Sequence, residues 1–155
     1  MTRAVIAMGA NLGDRADTIV AAIELLGATD GVEVVAVSEL VETVAIRPDG
    51  PDDTHPNYLN GVAIVDTTLS AASLLAVLHS IEDEHGRTRS ERWGDRTLDL
   101  DLIVFGDVIE DGNIVIPHPR AHERSFVLGP WLSLDPDASI PGRGLVRELP
   151  AVVSA

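Results

Sequence analysis

The sequence has no cysteine, which excludes a disulfide framework, a thiolate metal centre and a cysteine nucleophile, and fits a reducing cytosol. Lysine is absent too, so all 11 cationic side chains are arginine. That excludes a phosphate-binding loop of the Gly-Lys-Ser/Thr type and any Schiff-base mechanism. Aromatic residues make up only 3% of the chain, and the formal net charge is −14. That charge argues against general binding to nucleic acid or anionic membranes, although a local basic site can still sit inside an acidic protein. No apolar run reaches membrane-spanning length, and the N-terminus carries no charged, apolar, small-residue leader. A soluble, cytoplasmic protein is expected. With 155 residues and 45% hydrophobic content, the chain is expected to form a single domain over 1–155 with a real core.

What is present is concentrated between Arg87 and Asp101, where four arginines and a tryptophan lead directly into a strand bearing two aspartates. In an extended strand successive side chains alternate, so Thr97, Asp99, Asp101 and Ile103 share one face while Leu98, Leu100, Leu102 and Val104 share the other. The leucines are assigned to the core. Two carboxylates held side by side repel unless a cation lies between them, and a hard divalent ion such as Mg²⁺ suits oxygen ligands. Asp-x-Asp alone is better read as a solvated strand face, since the tripeptide is common and weakly specific. The arginines favour the metal reading: six of the eleven (Arg87, Arg89, Arg92, Arg96, Arg120, Arg124) fall between 87 and 124. Planar guanidinium forks bind phosphate oxygens in pairs, so a cluster beside a metal-binding strand fits polyphosphate chemistry.

The remaining pattern supplies a scaffold. Ala4 to Met8 reads as a buried strand, followed by a glycine turn and a helix with Ala16, Ile19, Val20, Ile23 and Leu26 at helical spacing and Gly27 as its C-terminal stop. Asp30-Gly31 turns the chain into one strand over Val32 to Thr43. Arg47 to Pro56, with three prolines and a glycine, reads as an irregular loop. Tyr58 to Asp66 is a third strand with Tyr58, Asn60, Val62 and Ile64 on one face. Asn60 is either satisfied by nearby backbone or reads a heterocycle's donors and acceptors. Ser70 caps a second helix carrying Leu74, Leu75, Leu78 and Ile81, stopped by Gly86; Glu82-Asp83-Glu84 at its end oppose the helix dipole. The strand of Asp99 and Asp101 comes fourth, then a short hairpin to Ile116 and an apolar helix from Ser125 to Leu134. The tail from Asp135 is expected to wrap the surface. Strand-helix-strand-strand-helix-strand is the order of an α+β, ferredoxin-like sandwich: an antiparallel sheet, helices on one face, the active site on the other, and here a C-terminal helical extension.

Four separated motifs resemble the 6-hydroxymethyl-7,8-dihydropterin pyrophosphokinase family over nearly the whole chain. They are Gly9-Ala10-Asn11-Leu12-Gly13, His55-Pro56-Asn57-Tyr58-Leu59-Asn60, Gly86-Arg87-Thr88-Arg89 with Arg92 to Asp101, and Pro117-His118-Pro119-Arg120 with Glu123-Arg124-Ser125-Phe126. The resemblance implies transfer of pyrophosphate from ATP to a pterin hydroxymethyl group, leaving AMP. It implies two Mg²⁺ ions on Asp99 and Asp101. Arg87, Arg89, Arg92 and Arg96 would contact phosphates from a mobile loop closed by Trp93, with Leu102, His118 and Arg124 also at the nucleotide. Tyr58 and Phe126 would sandwich the pterin, Asn60 would bond its ring, and Thr43 to Ile46 would complete its pocket. The partners implied are these two small molecules, acting on a monomer. Departures include Ala10 for a usual Ser, His55 for Gln and Asp95 for a common Pro. An RNA-binding module on this fold would need a basic, aromatic sheet face, which −14 and aliphatic strands do not offer. A different Asp-x-Asp transferase would depend on a sugar nucleotide and bind no pterin. Trp131 is assigned to the core, and His79, His85 and His122 to the surface or to helix ends.

Overall fold

A computed structural model describes residues 1–11, 14–43, 46–47, 50–51, 58–85 and 98–153, with only the backbone at 46–47 and 50–51. In chain order these form β1 (Thr2–Ala10), α1 (Arg15–Gly27), β2 (Val32–Val37), β3 (Val41–Thr43), β4 (Ile46–Arg47), β5 (Gly50–Pro51), β6 (Tyr58–Thr67), α2 (Ala71–Glu84), β7 (Asp99–Phe105), α3 (Ser125–Leu134) and α4 (Pro150–Val153). The main sheet runs β2-β6-β1-β7, with β3 paired to β6 beside β2, and every pairing of it is antiparallel. This is the α+β ferredoxin-like arrangement that the element order implies.

Alternation along β1 sets up two cores. Ala4, Ile6, Met8 and Ala10 face α1 and α2, where they meet Ile19, Leu26, Leu74, Leu78, Ile81 and the three leucines of 98, 100 and 102. Val5 and Ala7 face the other way, toward Val62, Ile64 and α3. The helices are capped as their sequences require: Asp14 accepts from Asp17 N–H, and Ser70 from Ser73 N–H. Arg3 and Asp66 lie opposite each other on β1 and β6 and form a two-pronged ion pair.

Several expectations are corrected. Gly27 is the last residue of α1 and the chain turns at Ala28 in a right-handed conformation; the left-handed glycine is Gly31, at φ 85°, where a Cβ would stand 2.9 Å from Thr68 Oγ1. Val20 is half exposed, and Ala22 takes the buried position instead. The expected single strand 32–43 is broken at Ser38, whose hydroxyl accepts from Val62 N–H while its own N–H donates to the Val62 carbonyl. At the start of the expected irregular loop, Arg47 with the preceding Ile46 pairs with Gly50–Pro51 as a two-residue ladder, and 48–49 and 52–56 of that loop lie outside the described residues. A bulge in β7 opposite Val5–Ile6 moves Val104 to the α3 side, beside Ile103, and sends Phe105 to the helix-side core. The tail is core as well as wrapping: Ala138, Ile140, Val146 and Leu149 are buried against α3 and the sheet. Trp131 is buried there, as expected. Gly86 lies outside the described residues; α2 ends at Glu84 with His85 as its cap.

Candidate active site

The sheet face opposite α1 and α2 is only half covered by α3, and the uncovered half is a cavity of about 680 Å³. Its floor is the middle of the sheet. Register places Gly9 of β1 directly between Asn60 of β6 and Asp99 of β7, with Ala7 beside Asp101. Two small residues on the central strand therefore separate a polar amide on one neighbour from two carboxylates on the other. A Cβ on Gly9 would come within 3.1 Å of Asn60 Oδ1 and 3.7 Å of Tyr58 Cδ1, so the floor is flat because this residue has no side chain. The motif Gly9-Ala10-Asn11 is visible in sequence, but Gly9's place under the cavity is not, because it depends on cross-strand register.

Thr43, Tyr58 and Phe126 line the cavity together with Asn60. Thr43 and Tyr58 are cross-strand partners, while Phe126 comes from the first turn of α3 on the opposite wall. Asn60, 7% exposed, donates from Nδ2 to Thr43 Oγ1 at 2.8 Å, so a neighbouring hydroxyl orients the amide. Ile46 continues the chain beyond Thr43, in backbone register with Pro51.

Asp99 and Asp101 line the same cavity, with Arg120 and Arg124. Arg124 Nη1 stands 3.8 Å from Asp101 Oδ2, and its guanidinium carbon is 6.0 Å from the Phe126 ring centroid. One arginine thus bridges the carboxylate and aromatic parts of the site. His118 is placed by the bulge in β7: its N–H donates to the Ile103 carbonyl at 2.8 Å. Its Nδ1 accepts from Arg120 N–H at 3.2 Å, which puts the proton of the neutral ring on Nε2. Burial lowers the His118 pKa; Arg124 and Arg120 push the same way and Asp101 opposes them. Leu102 turns its side chain into the helix-side core, so any nucleotide contact it makes falls to its backbone.

Two carboxylates on one strand face form an all-oxygen donor set suited to a hard divalent cation. Among the described residues no cluster of three or more His, Asp or Glu stands ready to hold a metal, so the protein offers a partial shell of the kind completed by water and substrate phosphates. Arg87, Arg89, Arg92, Trp93 and Arg96 lie outside the described residues. His79 is exposed on α2 and His85 caps it, whereas His122 has a buried Nδ1 with no hydrogen-bond partner. Sequence reasoning missed Glu82: it is 3% exposed and its Oε2 accepts from Leu100 N–H at 2.8 Å. Three consecutive acids at a helix end were the available signal.

Residues 5–136 match the family described as 7,8-dihydro-6-hydroxymethylpterin-pyrophosphokinase. Proteins named 2-amino-4-hydroxy-6-hydroxymethyldihydropteridine pyrophosphokinase are similar along most of their length. That of Pseudomonas aeruginosa is 40% identical, covering 99% of this chain and 91% of its own. That of Haemophilus influenzae is 37% identical, covering 96% and 91%. Among solved structures, an HPPK-DHPS in complex with substrates superposes with a TM-score of 0.74 at 12% identity, over 99% of this chain and 43% of that one. Plasmodium falciparum HPPK-DHPS with pterin and p-hydroxybenzoate superposes at 0.71 and 16% identity, over 96% and 42%. This chain spans less than half of either solved chain, and they speak for the fold alone. With the profile matching most of the chain and full-length relatives near 40% identity, the chain belongs to the 7,8-dihydro-6-hydroxymethylpterin-pyrophosphokinase family.

Proposed function

We propose that the chain acts as a single pyrophosphokinase domain that transfers pyrophosphate from ATP to the hydroxymethyl group of 6-hydroxymethyl-7,8-dihydropterin in folate biosynthesis. The observation that carries this is one cavity lined both by Tyr58, Phe126, Asn60 and Thr43 and by Asp99, Asp101 and Arg124. A flat heterocycle needs aromatic faces and an oriented amide, and a polyphosphate needs cations; the cavity brings the two sets within one ligand's reach. The pterin lies between Tyr58 and Phe126 with its ring bonded by Asn60, and the Thr43–Ile46 segment closes that end of the pocket.

The hydroxymethyl oxygen attacks the β-phosphorus, the bond from that phosphorus to the oxygen bridging to the α-phosphate breaks with its electron pair going to AMP, and the hydroxyl proton passes to solvent. Such a step needs alignment and charge neutralisation more than covalent help from the protein. Two Mg²⁺ ions held by Asp99 and Asp101 supply charge neutralisation on the phosphates when bound. Arg124 holds a phosphate from the Phe126 side, and His118 donates from Nε2. Leu102 contributes backbone at the nucleotide. Arg87, Arg89, Arg92 and Arg96 add phosphate contacts, and Trp93 closes over the site. The same reading makes the protein a cytoplasmic monomer with no nucleic-acid or membrane partner.

The test is to incubate the protein with ATP, Mg²⁺ and the pterin and identify the nucleotide product. AMP formed only in the presence of pterin is expected. ADP in its place, or no turnover, overturns the assignment.

A further inference from the structure

Among the described residues, β7, which carries Asp99 and Asp101, is an edge of the main sheet and pairs there with β1. N–H groups of a strand point alternately to its two sides. Asp99 and Asp101 lie in register with Gly9 and Ala7 of β1. Leu100, between them, sends its N–H the other way, to Glu82 Oε2 at 2.8 Å. The stretch is therefore held by a strand on one side and, at Leu100, by the Glu82 carboxylate on the other.

Glu82 is unfavourably placed with respect to its own helix. It sits in the last turn of α2, where the dipole disfavours negative charge, and α2 has no basic residue in that turn. It is also 3% exposed, and burying a carboxylate is costly unless hydrogen bonds replace its water. A bond from a backbone N–H to an ionised acceptor is short and strong, and the one seen here falls on the residue between the two carboxylates. Resting on the function proposed above, we propose that Glu82 is a positioning residue for the metal–phosphate site. By fixing the Leu100 amide it sets the pleat of β7 and hence the separation and direction of the Asp99 and Asp101 carboxylates. Glu82 itself touches neither substrate nor metal.

Three measurements on Glu82→Ala and Glu82→Gln, beside the wild type, test this. In the ligand-free protein, the Leu100 amide should exchange with solvent at least about tenfold faster in Glu82→Ala, because its acceptor is gone. The Mg²⁺ concentration for half-maximal rate should rise about tenfold or more, as for other residues that orient metal ligands, while pterin affinity by calorimetry stays within about twofold. Glu82→Gln retains an acceptor oxygen at the same reach and should restore most of the Mg²⁺ dependence. Where Glu82→Ala does not fold, Glu82→Asp, which withdraws the oxygen by one methylene, carries the same expectations. Unchanged Leu100 exchange, or unchanged Mg²⁺ dependence with the amide exposed, overturns the positioning role. A uniform loss of pterin affinity and Mg²⁺ response that Gln does not restore overturns it as well. Failure of the wild type to form AMP sinks the functional reading instead, and Leu100 exchange still decides whether Glu82 holds the strand.

Discussion

At the scale of single residues, the site depends as much on a missing side chain as on those present. Gly9 lies under the cavity, where an added Cβ would meet Asn60 Oδ1 at 3.1 Å, closer than ordinary packing. Gly9→Ala therefore has to push the Asn60 amide aside slightly, at a cost of about 1–3 kcal/mol. The expected outcome is a pterin affinity lowered about tenfold or more, measured by calorimetry, with Mg²⁺ dependence of the rate unchanged; unaltered affinity would show that the floor yields. Thr43→Val keeps the shape of its partner but removes the hydroxyl that accepts from Asn60 Nδ2. Loss of one such bond is worth about 1 kcal/mol, so a roughly fivefold weaker pterin complex is expected from the same titration. Asp99→Ala and Asp101→Ala should each abolish turnover with the melting transition kept, and near-normal activity in either would remove the metal assignment. Asp99, Asp101, Asn60 and Tyr58 are picked out in sequence by the family motifs they sit in, and period-two alternation adds only that each pair shares one strand face. Gly9 and Glu82 cannot, since their roles arise from neighbours about 50 and 18 positions away.

Among the elements, those defined by local rules are the ones the sequence makes plain. Both long helices, the Ser70 start of the second and the faces of β6 follow from spacing and capping. Breaks are harder, because they are imposed by partners. Ser38 divides β2 from β3 by bonding twice to Val62, and the β7 bulge is visible only against β1. Yet that bulge has a consequence for the site, since the Ile103 carbonyl it offers holds His118 beside Asp101. The Arg3–Asp66 pair fastens the far ends of β1 and β6. Its hydrogen bond from Arg3 holds the Asp66 carboxyl below the usual carboxylate range. A group with a depressed folded pKa stabilises the fold above its unfolded value and loses that contribution as pH falls through the folded one. Asp66→Asn should therefore melt slightly below wild type at neutral pH, and the gap should close below about pH 4. A gap independent of pH would mean that the pair contributes by packing alone.

On the scale of the whole molecule, the open sheet face has to be partly closed for a cavity to exist at all. α1 and α2 bury one side of the sheet completely, but a bare second side would be a broad apolar surface in water. α3 covers half of it through Val127, Leu128 and Trp131, and Ala138, Ile140, Val146 and Leu149 of the tail pack into the same covered half. This second core stops where the aliphatic side chains of β1 and β6 give way to Gly9, Asn60 and Tyr58, and there the cavity begins. Its proline and glycine content disguises the tail as a surface strap, because its buried residues follow no helical or strand period. Ile140, at 2% exposure, is the sharpest test of that role. Ile140→Ala removes a filled volume far from Asp99 and Asp101 in sequence, and core truncations of this kind cost about 2–5 kcal/mol. Melting should shift down by several degrees while pterin affinity, measured well below the transition, stays near wild type. An equal loss of both would mean that the tail shapes the pocket directly; no loss of stability would mean that α3 alone seals the sheet.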